Sequence, residues 1–559
     1  MPGGLLNIVA YGQQNIILNG NPSKTFFKCV YAKYTNFGLQ KFRIDFNGQR
    51  SLRLTEDSKF TFKIPRYADL LMDTYLVVQL PTIWSPIFPP QTCDSEWVEY
   101  GFKWIKNLGT QMIKEVQITI GGQIIAQYSG QYLYNMIERD FSNTKKDLYY
   151  KMTGNVPELN NPAYTNGNIN IYPNAYYNPS QTGPEPSIRA RKLYIPINTW
   201  FTLNNKMAFP LVALQYNELI IDVTLRPIQD LFVIRDIGNE NNIYPYVRPN
   251  FNNIYHAFYR FLQPPPDVSL NVSSYTDKRT NWNADVHLIS TYAFLTEEEE
   301  KVFALNQQKY LIKDVHEYQF NNVTGSNVVQ LDTLGMISNW MWFYQRDDSY
   351  MRNEWSNYTN WPYDYLPYPI INPSGLSSIT KYTNPCPSPP GPGPTNIGPD
   401  MNPNGSNTGY FITPDYTPQN EKNILRQFGI LMDGKYRENI FEAGVYNYIE
   451  KYVRTSGDSS DGLYCYNFGL KTDPYDFQPN GAINMSKFKT IELEFTTISP
   501  VLDPNAAFYQ ICDPVTKTVI GVNKPSWIIY DYNFNLTVME ERYNILTFMS
   551  GNAALDYAR

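Results

Sequence analysis

The sequence predicts an all-β chain of two similar domains in tandem, with long surface loops and a few short helices. Three observations predict it. Aromatic side chains, which suit the half-buried surface of a pleated sheet, make up 15% of the 559 residues, with 46 Tyr, 30 Phe and 10 Trp. Turn formers are dense, at 32 Gly and 41 Pro, so the strands are short and often interrupted. Apolar residues alternate with polar ones at a period of two in both halves, the pattern of a sheet with one buried face. A chain of 559 residues also exceeds one ordinary hydrophobic core and suits two large domains.

In chain order, residues 1–25 form an arm of small and amide side chains that belongs to no obvious core. A first domain is expected over residues 26–262. Phe42, Ile44 and Phe46 alternate with Arg43 and Asp45, and Phe60, Phe62 and Ile64 alternate with Thr61 and Lys63. In Met112–Ile120, Met112, Val116, Ile118 and Ile120 share a face with the stem of Lys114, opposite Glu115, Gln117 and Thr119. Gly121-Gly122 then supplies a tight turn into a returning strand, Gln123–Tyr128. Residues 141–192, dominated by Asn, Tyr, Pro and Gly, read as a long outward loop. Leu193–Val233 closes the domain, with Leu219–Leu225 as a buried strand and no residue in Leu193–Pro227 suited to chemistry.

A polar connector over 263–285, stiffened by Pro264-Pro265-Pro266, leads to a second domain over 286–559. Thr296 and Glu299 form a candidate capping box for a helix carrying Val302, Phe303 and Leu305. The four glutamates Glu297–Glu300 sit at the positive end of its dipole and read as an ordinary charged helix start, not a cation site. A second long loop spans 346–422, with a proline- and glycine-rich centre at 384–407. Sheet signals then resume. Ile491, Leu493 and Phe495 oppose Thr490, Glu492, Glu494 and Thr496; Ile528, Tyr530, Tyr532, Phe534, Leu536 and Val538 oppose Ile529, Asp531, Asn533, Asn535, Thr537 and Met539. Each half therefore repeats one plan of short strands, one very long loop and closing strands.

Composition excludes several classes. The net charge is −6 and no basic block is present; the densest clusters are Lys145-Lys146 and Arg189-Ala190-Arg191-Lys192. Neutralising a nucleic-acid backbone needs a positive face, so direct nucleic-acid binding is not expected. Five scattered cysteines, with no CxxC, suggest neither a zinc ribbon nor a redox pair, and a reducing compartment fits them. The start MPGGLLNIVAYG has no cation before Lys24 and an apolar run too short for a signal peptide. Pro2 stands where myristoylation needs glycine. No apolar run approaches the roughly 20 residues of a membrane span. A soluble, cytosolic product is the expectation.

No motif carries chemistry. Gly429-Ile-Leu-Met-Asp-Gly434-Lys435 fits the first part of a P-loop, but Tyr436 follows where a Ser or Thr must hold magnesium. A hairpin turn at Asp433-Gly434 explains the stretch better. The three histidines, His256, His287 and His316, show no ligand spacing, whereas a metal site draws on several converging donors. No GxSxG elbow occurs. Asp458-Ser-Ser-Asp461-Gly lacks the ligand count of a calcium loop. Sequons stand at Asn271, Asn322, Asn357, Asn404, Asn484 and Asn535, as chance allows in a chain rich in asparagine. No catalytic, cofactor-binding or metal residue is therefore assigned, and the chain reads as a building block rather than an enzyme.

Six blocks carry a resemblance. They are GGLLNIVAYGQQNIILNGNPSKTFFKCVYAKYTNF (3–37), FKIPRYADLLMDTYLVVQLPTIWSPI (62–87), WIKNLGTQMIKEVQITIGGQIIAQYSG (104–130), the stretch 193–227, LYCYNFGLKTDPYDFQPNGAINMSKFKTIELEF (463–495) and ERYNILTFMSGNAALDY (541–557). In this order the chain resembles the major capsid proteins of the nucleo-cytoplasmic large DNA viruses, in particular the mimivirus-like branch. The resemblance implies two consecutive eight-stranded jelly rolls, and three copies forming a pseudo-hexagonal capsomer of an icosahedral shell. It further implies a place in the virion capsid, assembly in the host cytoplasm, minor capsid and penton proteins as partners, and an N-terminal arm at the inner face near an internal viral membrane. Two alternatives stay open at this point. One is a related double-jelly-roll scaffold that shapes the viral membrane during assembly and is then shed. The other is a carbohydrate-binding β-sandwich, suggested by the many tyrosines and tryptophans.

Overall fold

Period-two segments pair into sheets only with partners from elsewhere in the chain, and the computed structural model shows which. It describes residues 2–48, 51–88, 98–165, 171–178, 183–237, 246–265, 274–361, 398–401, 407–412, 421–476, 478–500, 509–512, 519–523 and 532–557. The first half has eight principal strands: β1 (Gly38–Ile44), β2 (Ser58–Lys63), β3 (Leu70–Gln79), β4 (Ile113–Ile120), β5 (Gln123–Tyr128), β6 (Lys192–Pro196), β7 (Leu219–Leu225) and β8 (His287–Phe294). They form two antiparallel sheets in the orders β1-β8-β3-β6 and β2-β7-β4-β5. First neighbours eighth, third neighbours sixth, second neighbours seventh and fourth neighbours fifth. This is the strand order of a jelly roll.

The second half repeats the order. Its strands are β9 (Gln308–Phe320), β10 (Ser326–Gln330), β11 (Met336–Arg346), β12 (Leu425–Met432), β13 (Lys435–Glu442), β14 (Leu463–Asn467), β15 (Ile491–Thr497) and β16 (Phe534–Met549). Their sheets run β9-β16-β11-β14 and β10-β15-β12-β13. The duplicated plan seen as a rhythm in the sequence is thus a duplicated topology.

Alternating residues do what their period requires. Phe60 and Phe62 on β2, Ile221 and Val223 on β7, and Val116 and Ile118 on β4 meet Leu76, Leu193 and Leu288 from the opposite sheet in the first core. In the second, Leu493 and Phe495 on β15 and Phe428 and Ile430 on β12 meet Trp340, Trp342, Leu536 and Val538. Trp342 stacks on Phe428 with ring centres 4.2 Å apart. The turns fall at the expected sites. Gly121 and Gly122 (φ 56° and 86°) join β4 to β5, and Asp433 and Gly434 (φ 49° and 74°) join β12 to β13, all in the left-handed region of a two-residue hairpin turn.

Five expectations are corrected. The boundary expected at residue 286 lies farther on, because β8 pairs along its length with β1 and also with β3 in the first half. A jelly roll returns its last strand to lie beside its first, and chain order alone does not reveal that return. The described end of the connector expected over 263–285 likewise packs on the first half, where the Trp282 indole N–H donates to Gln79 O at 2.7 Å. The supposed outward loop over 141–192 opens with a helix, Asn143–Thr153, whose Lys146, Tyr149 and Thr153 are buried. Lys114 points to solvent and pairs with Asp57, because β4 carries a bulge opposite Thr224 and Leu225 that puts Ile113 in the core. Finally, the helix Glu297–Leu305 starts after Thr296 as expected, but Thr296 makes no side-chain cap bond.

β11 breaks the alternation rule. Its residues Ile337–Tyr344 are buried without interruption. Trp340 and Trp342 face the second core, whereas Met341 and Phe343 join Met539 of β16 in the core of the first half. One sheet of the second jelly roll is therefore covered on both sides, once by its own partner sheet and once by the other half. Continuous apolar runs belong to sheets buried on two faces.

Candidate functional site: the joint between the halves

One helix of the first half lines this covered face, and a second flanks it. The first, α1 (Gly130–Asp140), follows β5 directly. The Ser129 hydroxyl accepts from Tyr132 N at 3.1 Å and caps it, and Gly130 lies so close to Thr110 and Ile113 that a Cβ would sit 2.0 Å from Thr110 O. Ten of its residues, polar ones included, are buried. A helix without a solvent face lies between two bodies. The second, α2 (Asn143–Thr153), packs beside it.

The polar residues of α1 are buried as pairs. Arg139, 1% exposed, grips Asp140 with a fork of two bonds (2.9 and 2.7 Å), reaches Glu541 Oε1 on β16 at 2.7 Å and donates to Asn339 Oδ1 on β11 at 2.7 Å. Glu541 also accepts from Asn339 Nδ2 at 2.9 Å and from the Tyr132 hydroxyl at 3.1 Å. Thr472 closes the circuit by donating to Asp140 at 2.6 Å. Burial alone would push the Glu541 carboxyl up; Arg139, helped by Lys313 and Asn339, outweighs it and holds the group at about 2. Nearly every hydrogen-bonding site of this cluster has a partner, and its members come from both halves.

Two further contacts flank it. At the end of α1, Gly457 N and Ser459 N donate to the carbonyls of Arg139 and Glu138, while Lys146 of α2 bonds Glu138 and Asp458. On the other side, the described start of the second long segment turns inward rather than outward. Asn353 donates to Gln229 O and Phe232 O at 2.8 and 2.9 Å, and the Trp355 indole donates to Asp230 O at 3.0 Å. Tyr358 stacks on Phe343 at 3.9 Å and donates to Asn135 of α1 at 2.9 Å. Arg346 and Arg352 both pair with Asp348 and, against the cost of burial, hold its carboxyl well below the usual range. The proline-rich stretch 384–407 lies outside the described residues, apart from the ladder of Gly398–Met401 with Asn407–Ile412.

The described surface offers exposed apolar elements. Among the described residues, none before Ile44 is buried; the arm exposes Leu5, Leu6, Ile8, Val9, Phe26, Phe27 and Tyr31. A second exposed apolar run, Tyr448, Ile449, Tyr452 and Val453, lies on a helical segment, a π-turn Val445–Ile449 running into an α-helical turn, Glu450–Arg454. The histidines stay apart, each beside its own aspartate: His256 with Asp236, His287 with Asp285 and His316 with Asp314. No group of potential metal ligands occurs among the described residues. At the P-loop look-alike, Asp433 accepts from Lys489 N and Thr490 N and closes a hairpin.

Residues 25–251 match the family model described as the major capsid protein N-terminus, and residues 299–554 that of the large eukaryotic DNA virus major capsid protein. The chain belongs to this capsid protein family. It is 25% identical to the major capsid protein of Phaeocystis pouchetii virus over 604 aligned positions, covering 100% of both chains. It is 30% identical over 321 residues to capsid protein 1 of Acanthamoeba polyphaga mimivirus, covering 56% of this chain and 44% of that one. The Faustovirus major capsid protein shares the fold, with a TM-score of 0.58 at 12% identity over 98% of this chain and 96% of that one. The family is structural, and so is this chain: it is a capsid protein and not an enzyme. The residues that matter to it, Arg139, Asp140, Asn339, Thr472 and Glu541, carry no motif. Arg139 and Asp140 end the helical segment GQYLYNMIERD, whose Asn135 and Glu138 are buried along with its apolar residues.

Proposed function

We propose that the chain is the repeating subunit of an icosahedral capsid shell and that three copies form its capsomer. The observation that carries this is the pair of jelly rolls with one strand order, joined through a buried, hydrogen-bonded seam. A trimer of such a subunit presents six similar β-domains and tiles a shell as a near-hexagon. The exposed apolar arm is suited to the inner face, against minor capsid and penton proteins and the internal membrane, in particles assembled in the host cytoplasm. The net charge of −6 supports a shell that does not bind the genome directly.

Light scattering on the purified chain across a range of concentrations tests the reading. A particle of about three times 64.8 kDa that packs into hexagonal arrays under the electron microscope is expected. A chain that stays monomeric at every concentration overturns the trimer.

A further inference from the structure

A cavity of about 50 Å³ lies within the joint, between β5 and α1, the turn after β6, and strands β9 and β16. Met136, Trp200 and Val315 give it apolar walls, and Arg139, Lys313 and Glu541 line its charged side. Three further lining groups are unusual. Tyr128, Asn198 and Thr199 are 5%, 9% and 5% exposed, yet the Tyr128 hydroxyl, Asn198 Nδ2 and Thr199 Oγ1 have no hydrogen-bond partner in the protein. Burying such groups without a partner is costly, and native interiors pair the great majority of them. Here all three border one space.

The walls decide what can occupy that space. The Arg139 guanidinium is already engaged by Asp140, Glu541 and Asn339, and Lys313 lies 3.7 Å from Glu541. Two cations thus balance two anions, and neither an anion nor a metal ion finds unpaired opposite charge. The volume suits small hydrogen-bonding molecules: a water needs roughly 10–15 Å³ of such space and two to four polar partners. We propose that this cavity is a built water site. It holds a cluster of about three ordered waters that satisfies Tyr128 and Asn198 of the first half and reaches Lys313 and Glu541 of the second. The waters make the joint's polar network continuous across the seam and help to set the angle between the two jelly rolls.

The test is a map of the full chain, in its native assembly, at a resolution that shows ordered water. Expected are peaks within about 2.6–3.2 Å of both Tyr128 Oη and Asn198 Nδ2. An empty cavity, or continuous density of an organic molecule, overturns the proposal. Tyr128→Phe supplies an independent sign. Where water bonds the hydroxyl, its removal deletes one peak and lowers the thermal midpoint by about 1 °C in a chain of this size. Where the hydroxyl is unsatisfied, its removal leaves the midpoint unchanged or raises it, which counts against the site. If the variant does not fold, the map of the unaltered chain decides alone.

Discussion

Arg139 shows how much a single side chain can carry when burial removes the screening of water. Its guanidinium holds Asp140 and Glu541, all three buried, so removing it leaves two carboxylates in the interior with no neutralising fork. Arg139→Met is expected to cost about 3–5 kcal/mol of unfolding free energy in denaturant titrations, far more than loss of the exposed Arg53–Glu56 pair. The same cluster fixes a pH dependence. The Glu541 carboxyl lies at about 2 in the folded chain against 4.5 as its ordinary value, so the folded state binds its proton later than the unfolded state. Its contribution is therefore complete above about pH 4.5 and is lost as pH falls toward 2. That contribution is on the order of 3 kcal/mol. Thermal midpoints followed from pH 6 downward should fall less steeply for Glu541→Gln than for the unaltered chain, from a lower starting value.

At the scale of elements, the strands with one dry face were legible. Phe60-Thr-Phe62-Lys-Ile64 and Ile491-Glu-Leu493-Glu-Phe495 alternate in sequence and in burial alike, because each strand's environment is set by its own pleat. β11 was not legible in this way. Its second buried face is created by α1 and by Tyr358, and nothing within the strand tells an apolar residue which of two cores it will enter. The two faces can be separated by mutation. Phe343→Ala, on the side of the joint, and Phe428→Ala, in the second core, should each cost about 3–5 kcal/mol. Only Phe343→Ala should divide calorimetric unfolding into two transitions, since it loosens the halves from each other while leaving the second core filled. A single transition in both variants would show that the joint is not what couples them. The helix α2 was missed for a related reason: its buried residues Lys146, Tyr149 and Thr153 do not look like a hydrophobic stripe, and they are buried by ion pairs and a neighbouring strand.

For the whole molecule, the arm and the body have separate roles. None of the described residues before Ile44 is buried, so deletion of residues 1–36 should leave the thermal midpoint unchanged within about 1 °C. The same deletion removes a run of exposed apolar residues that soluble monomers rarely keep without a partner, and it should impair the growth of capsomers into shells, read by electron microscopy. A lowered midpoint would instead place the arm among the elements that hold the body together.

The sequence by itself determined the all-β class, the twofold plan, the hairpin turns at Gly121-Gly122 and Asp433-Gly434, and the absence of a motif for chemistry, because period, turn residues and ligand spacing are local properties. Six blocks in order were enough to resemble a capsid protein family. Only the tertiary structure decided that β8 belongs to the first jelly roll, that β11 is covered twice, and that Arg139, Asn339, Thr472 and Glu541 form one buried cluster. Arg139 and Glu541 are 402 positions apart. Pairing across such a distance depends on how two complete domains dock, and no local pattern of side chains records it.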